Sequence, residues 1–568
     1  MVSLVNFYRC GGLSFFEKSQ RYFNTLRYLK PVQIWGRIVF KLIQPKPDLR
    51  PASNARLLGG GWQIPATRRI SMLSPTRFRF LNLENTISST ADWNSILLPK
   101  LWLYNLHYFD DLNAKFSDVR KDWHRELIAR WIIENPPSAG AGWDPYPLSL
   151  RIVNWIKWAL AGNELDGAVH HSLAVQTRFL VRRLEHHLLG NHLFANAKAL
   201  VFSGCYFEGD KAEQWLRLGM EILEREITEQ ILADGGHFER STMYQALAFE
   251  DMLDLVNLAN AFPDSFVPWK TTVSSWPEIV SKMGGWLRAM SHPDGEIAFF
   301  NDAAVGIAPS PSVLLSYADR LRLPTIGVGG EVIELAPSGY IRVALGPAIL
   351  LIDVAPIGPD YLPGHAHADT LSYELSLFGQ RVLVNSGTSC YGVGLERQWE
   401  RSTAAHNTVE IDGQDSSEVW AGFRVARRAY PFDVSVKRDD DVVIVEAAHD
   451  GYRRLTGNAV HRRTWTLRPQ CLEVVDTVQG NFSEMVSRVY FHPDVQVIKA
   501  DAEGSASWLN QNISWESSAV DSDVAAATWY PEFGISVPNK CLRMAIPGSK
   551  KTAGCRFSLS WNTNSIPV

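Results

Sequence analysis

The sequence predicts an α-then-β molecule, a helical region followed by a region of short antiparallel strands. Three observations predict it. Between about residues 95 and 325 apolar side chains recur at helical spacing, after about residue 335 they alternate, and the two textures do not interleave. Strands alternating with helices would mean a parallel sheet with crossovers, whereas helices first and strands afterwards mean two separately layered domains. The length of 568 residues also exceeds what one hydrophobic core organises.

The elements follow in order. Residues 1–90 form a mixed segment whose stretch "TLRYLKPVQIWGRIVFKLIQPKPDLRP" is basic, amphipathic and broken at Pro31, Pro45 and Pro47. Such a stretch lies on a membrane surface or packs on a neighbouring domain; packing is the commoner fate and is the expectation. Residues 91–330 carry successive helical patterns, among them "HRELIARWIIEN", "LSLRIVNWIKWALAG", "EQWLRLGMEILEREITEQIL" and "YQALAFEDMLDLVNLANAF". Residues 331–568 carry alternating runs such as "YIRVALGPAILLIDV", "DVVIVEAAHD" and "HRRTWTLRPQCLEVVDTV", separated by turn residues. No internal repeat or low-complexity stretch supports a solenoid.

Composition narrows the function. Hydrophobic residues make up 46 %, charged residues 20 %, and the net charge is −4, an ordinary globular balance that argues against a nucleic-acid binder. The 20 Trp and 17 Tyr suit stacking on sugar rings, although core packing is the default for any single one. Cys10, Cys205, Cys390, Cys471, Cys541 and Cys555 lack metal-knuckle spacing and read as mostly free thiols. The start "MVSLVNFYRCGGLSFFEKSQRYF" lacks the pattern of a secretory leader, and no segment has the roughly 20 apolar residues of a membrane span. The chain therefore reads as soluble and cytoplasmic, without stable membrane insertion, the periplasm being the alternative compartment.

Five stretches concentrate polar and aromatic groups: "LWLYNLHYFDDL", "GNHLFANAKAL", "DGGHFERSTMYQ", "GHAHADTLSYELSLFGQRVLVNSGT" and "ERSTAAHNTVEIDGQDSSEVW". Each alone is explained by a helix cap, a turn or a buried histidine. In a strand, side chains two apart share a face, so His365 and His367 are expected to reach one space together.

Together, in this order, the five stretches resemble the heparinase II/III-like family of polysaccharide lyases. The resemblance implies an N-terminal incomplete (α/α) toroid, a C-terminal antiparallel β-sandwich and a cleft between them. It also implies β-elimination at a uronic acid of an acidic polysaccharide or oligosaccharide, with no organic cofactor. Residue by residue, Asn191 with His192 beside it matches the position that neutralises the uronate carboxylate. Tyr244 matches the catalytic tyrosine and His365 its partner histidine. A tyrosine near its ordinary pKa of about 10 is a weak base. Arg240, one turn earlier if the stretch is helical, is expected to favour the phenolate, with Glu239 orienting Arg240 or a histidine. His367, Asn385 and His406 match a structural metal site, for which one Zn²⁺ is the candidate. Asn385 departs from the acidic residue expected there, and a neutral amide is a weaker zinc ligand.

His107, Trp143, Tyr146 and Arg401 are expected to contact substrate, with core and loop-holding roles as the alternatives. The leading function is a lyase linked to a bacterial exopolysaccharide or O-antigen. The alternatives are a glycoside hydrolase using Asp144 and Glu239, which needs two carboxyl groups roughly 5 to 9 Å apart, and a non-catalytic polysaccharide-binding or assembly factor.

Overall fold

The computed structural model describes residues 15–562 apart from 325, 326, 328, 501, 502, 509, 510 and 550. Cys10 and the rest of residues 1–14 lie outside the described residues. The remaining five cysteines are free.

Two helices, α1 (Phe15–Leu26) and α2 (Pro31–Leu42), open the described chain. The helical domain follows with α3 (Lys100–Tyr108), α4 (Lys121–Glu134), α5 (Pro145–Leu160), α6 (Gly167–Leu180) and α7 (Gly190–Tyr206). It continues through α8 (Asp210–Gln230), α9 (Thr242–Ala261), α10 (Lys270–Ala289) and α11 (Pro311–Arg320). Local chemistry sets several starts. Pro145 and Pro311 occupy first-turn positions where no amide donor is needed, and the Asp166 carboxylate accepts from the Ala168 and Val169 amides to cap α6. Trp93, Trp102, Trp131, Trp155 and Trp276 are fully buried in one helical core. Most of the tryptophan richness is therefore packing, each ring burying about 150–250 Å².

Charge also ties helices together. Asp254 of α9 accepts from Lys157 of α5 at 3.0 Å and Lys198 of α7 at 2.6 Å. Its burial raises its pKa, but the two ammonium groups outweigh this and hold it at about 2.

From Val332 onward the described chain is mostly strand, forming antiparallel sheets of nine and eight strands. Side chains alternate, so Trp465, Trp515, Phe491 and Leu542 fill one core between the sheets. Representative registers are Val486 opposite Ala545 in one sheet and Val474 opposite Phe557 in the other. The run after "HAHAD" forms a hairpin of Tyr373–Leu377 and Gln380–Leu383. Its two-residue turn puts Phe378 and Gly379 at φ of 50° and 86°, the positive-φ pair that follows strand twist. The helical toroid and the sandwich meet along a cleft.

Candidate active site

A cavity of about 1090 Å³ opens between the two domains. The toroid contributes Tyr146, Asn191, His192, Glu239 and Tyr244 to its wall, the sandwich His365, Tyr391, Phe423 and Arg424, and the first two helices Tyr22, Gln33 and Arg37.

Asn191 stands at the start of α7, just after Leu189 and Gly190, which both take positive φ. That turn aims the N-terminus of a 17-residue helix, with its free amides and positive dipole end, at the cavity. A Cβ at Gly190 would lie 2.2 Å from a Leu362 methyl, so any side chain there would displace Leu362 from the cavity wall. His192 packs on Tyr146 with ring centroids 4.6 Å apart and meets Glu185 at 3.1 Å. Burial pulls its pKa down, but the Glu185 carboxylate outweighs burial and the net shift is upward.

Tyr244 lies in the first turn of α9, where its amide donates to the capping Ser241 hydroxyl. Its ring packs against His365 at 4.0 Å between centroids, and its hydroxyl is 3.2 Å from that of Tyr391. Burial first, then the neighbouring Tyr391, Tyr146 and Glu239, push its pKa well above 10. The hydroxyl therefore holds its proton.

Arg240 does not supply the expected cation. Ser241 is the N-cap and Arg240 precedes the helix at φ 58°, so the two residues are not one turn apart on a helix. The Arg240 guanidinium instead donates to the Ser338 carbonyl at 3.0 Å. Glu239 turns into the cleft, with a side chain only 1 % exposed, 3.7 Å from His365 Nε2. Both of its carboxyl oxygens are buried, with the Asn191 backbone amide beside them. Burial raises its pKa against the pull of His365 and His192.

His365 and His367 sit in an irregular loop, not a strand, yet they do converge. Both bind Asp302, His365 through Nδ1 at 2.8 Å and His367 through Nε2 at 2.8 Å. Asp302 also receives both terminal nitrogens of Arg397, which belongs to the short helix α12 (Leu395–Glu400). Burial works to raise the Asp302 pKa, but the guanidinium and the histidine N–H groups hold it well below the usual carboxylate range. An ionised carboxylate only accepts, so His365 carries hydrogen on Nδ1, and Nε2 is the ring nitrogen on the Glu239 side of the cleft.

Other expected contacts belong to the scaffold. His107 is fully buried, accepts from the Trp131 indole at 3.0 Å through Nδ1 and donates through Nε2 to the Trp93 carbonyl at 3.1 Å. Trp143 is core and donates to the Asn135 carbonyl. Arg401, also buried, donates twice to the Ala366 carbonyl at 3.0 and 2.9 Å and so clamps the loop between His365 and His367. Of the four expected substrate contacts, Tyr146 lines the cavity.

His367 and His406 face each other, with Nδ1 and Nε2 3.1 Å apart. His406 Nδ1 donates to the Ser402 carbonyl at 2.8 Å and His367 Nε2 to Asp302, so two neutral rings leave no hydrogen between them. A second pair in the sandwich closes properly: the Gly451 amide donates to His449, His449 to His461, and His461 to Asp476. The facing lone pairs of His367 and His406 resemble half a metal site. Asn385 does not complete it: its amide nitrogen donates to the Phe299 carbonyl and the Ser372 hydroxyl, and its oxygen accepts from the Asn407 amide. No cluster of three or more His, Cys, Asp or Glu suited to a metal occurs among the described residues. Two nitrogens fall short of the three or four protein ligands zinc takes, so this donor set does not fit a zinc ion.

Sequence reasoning missed Asp302, Arg397 and Tyr391. Asp302 lies in "FFNDAAVG" and Tyr391 in "TSCYGVG", segments with no local signature of chemistry.

A toroid and a β-sandwich sharing a cleft lined by Asn, His and Tyr define a polysaccharide-lyase type of architecture. The sequence matches the heparinase II/III N-terminus over residues 164–317 and the heparinase II/III-like C-terminal region over residues 328–561. The chain belongs to the heparinase II/III family. It is 26 % identical over 275 residues to a heparin-sulfate lyase of Bacteroides stercoris, covering 42 % of this chain and 39 % of that protein. The chain thus spans about two fifths of that relative's length. It is 24 % identical over 469 residues to FtsZ-localized protein C of Caulobacter vibrioides, covering 75 % of this chain and 76 % of that protein. Among solved structures, heparinase III superposes with a TM-score of 0.65 at 17 % identity, over 86 % of this chain and 80 % of that one. That likeness is one of fold.

Proposed function

We propose that the chain is a polysaccharide lyase that cleaves a uronic-acid-containing acidic polysaccharide by β-elimination. The observation that carries the reading is the packing of the Tyr244 hydroxyl, the Asp302-held His365 and the Asn191 end of α7 around one cavity. The uronate carboxylate sits by Asn191, where the helix end favours negative charge and stabilises the enolate-like charge as it develops. His365 Nε2 takes the proton from C5, the electron pair forms the C4–C5 double bond, and the C4–O bond breaks. Tyr244, kept protonated by burial, gives its hydrogen to the departing oxygen. The Tyr391 hydroxyl, 3.2 Å from that of Tyr244, holds the acid in place; after the products leave, His365 Nε2 gives its proton to water and Tyr244 takes one back from water.

The hydrolase alternative has weaker support. Asp144 does not itself line the cavity and is held by two residues that do, Tyr104 at 2.5 Å and Lys100 at 3.2 Å. The acidic side chains lining the cavity, among the described residues, are Glu239 and Asp360, and Asp360 is paired with Arg428. As the polymer we propose a bacterial exopolysaccharide or O-antigen containing uronic acid. The test is ultraviolet absorbance of an unsaturated uronide on a panel that includes these polymers. Absorbance that grows with wild-type protein supports the reading. No absorbance with any uronic-acid polymer rejects it in favour of a binding or assembly role.

A further inference from the structure

Among the described residues, the first two helices have one face spoken for and one face bare. Inward, Lys30 pairs with Glu229 and Gln33 donates to the Tyr361 carbonyl at 3.2 Å. Arg183 donates to the Phe40 and Ile43 carbonyls, and Trp420 of the sandwich donates to Thr25 at 3.2 Å. These contacts strap α1 and α2 across both domains, at the wall of the cavity.

Outward, α2 presents Ile34, Trp35, Ile38 and Leu42, which retain 52, 67, 45 and 78 % of their exposure. At 100° per residue these four fall within about 100° of one another, a continuous apolar stripe. Phe15, Phe16 and Phe23 of α1 are likewise exposed. Lys41 lies immediately beside the stripe and, with Lys46, points to solvent. Residues 15–50 hold eight basic side chains and two acidic ones, in a chain of net charge −4.

We infer that this face docks on an anionic lipid surface. An aromatic and aliphatic stripe edged by Lys and Arg is the chemistry of a helix lying in the headgroup region. No described helix is long and apolar enough to cross a membrane, so the contact is peripheral. Charge argues against a second copy: a twofold interface sets the same patch against itself, bringing six net positive charges against six. The inference stands apart from the lyase reading and places the cleft beside the surface that the strap touches.

The test is flotation of the full chain with phosphatidylcholine vesicles, with and without phosphatidylglycerol at about one lipid in three. Binding should be at least about tenfold tighter on the anionic vesicles and fall as salt rises toward about 1 M. Ile38→Ser with Leu42→Ser should weaken it about tenfold or more. Lys41→Glu with Lys46→Glu should remove the anionic preference while leaving the melting temperature unchanged. Equal or absent binding to the two vesicle types overturns the inference, as does wild-type binding by both variants. A dimer that Ile38→Ser with Leu42→Ser dissolves, without vesicle binding, assigns the stripe to a second copy and also overturns it.

Discussion

Asp302→Asn replaces an ionised carboxylate with an amide of the same shape at the point where four N–H groups meet. Asp302 is fully buried and receives His365 and His367 at 2.8 Å each together with both terminal nitrogens of Arg397. The amide keeps one accepting oxygen and turns an N–H₂ against donors on its other side. The Arg397 guanidinium, also fully buried, then lacks its counter-charge, and breaking a buried pair from one side costs about 3–5 kcal/mol. Chemical denaturation should therefore show a stability loss of about 4 kcal/mol. Turnover should fall about 100-fold or more, because nothing then fixes hydrogen on His365 Nδ1 and leaves Nε2 free as base. Arg397→Gln should be costly alone, and the double variant should lose less than the two single losses combined, by about 2 kcal/mol. A loss under about 1 kcal/mol for Asp302→Asn, or strict additivity in the cycle, would refute the reasoning.

Tyr244→Phe keeps the ring on His365 and removes only a hydroxyl bonded to Tyr391. We expect turnover to drop at least about 100-fold with an unchanged melting temperature, and wild-type rates would remove Tyr244 from the chemistry. Acid should unfold the protein partly through His107, whose pKa burial, helped by the Arg151 charge, lowers from 6.5 to about 3. Below pH 6.5 the unfolded chain takes a proton that the folded one refuses. Stability contributed by neutral His107 is thus lost progressively between pH 6.5 and about 3, roughly 5 kcal/mol in all. Denaturation of His107→Gln should show a shallower fall in that window, and identical slopes would contradict the assignment. Asn385→Asp should destabilise by about 1–3 kcal/mol, since it removes donors to Phe299 and Ser372, and should recruit no zinc. Metal analysis showing stoichiometric zinc in that variant would mean that His367, Asn385 and His406 do converge.

The domain order was legible because periodicity is local: helical spacing before residue 325 and alternation after 335 need no tertiary knowledge. Asn191, Tyr244 and His365 were reachable through motifs, and the structure brings them to one cavity. Arg240 was misplaced because helical periodicity does not reveal that Ser241 caps the helix and turns the preceding residue into positive φ. His107 and Trp143 were mistaken for cleft residues because burial is a property of the whole fold. Asp302 carried no signal at all: it acts 63 residues away from His365 in sequence and 95 from Arg397. The basic amphipathic stretch was expected to pack on the toroid. It does so on one face, but sequence alone does not say which face of a helix finds a partner.

Elimination and hydrolysis differ in whether water enters the product, so mass spectrometry of digests made in oxygen-18 water tests the lyase claim most directly. If the account holds, a uronic-acid polymer is cut to fragments that carry a double bond and no oxygen-18, and their masses sum to that of the parent. Fragments that gain one labelled oxygen at each cut, without a double bond, would contradict it and return the cleft to a hydrolase.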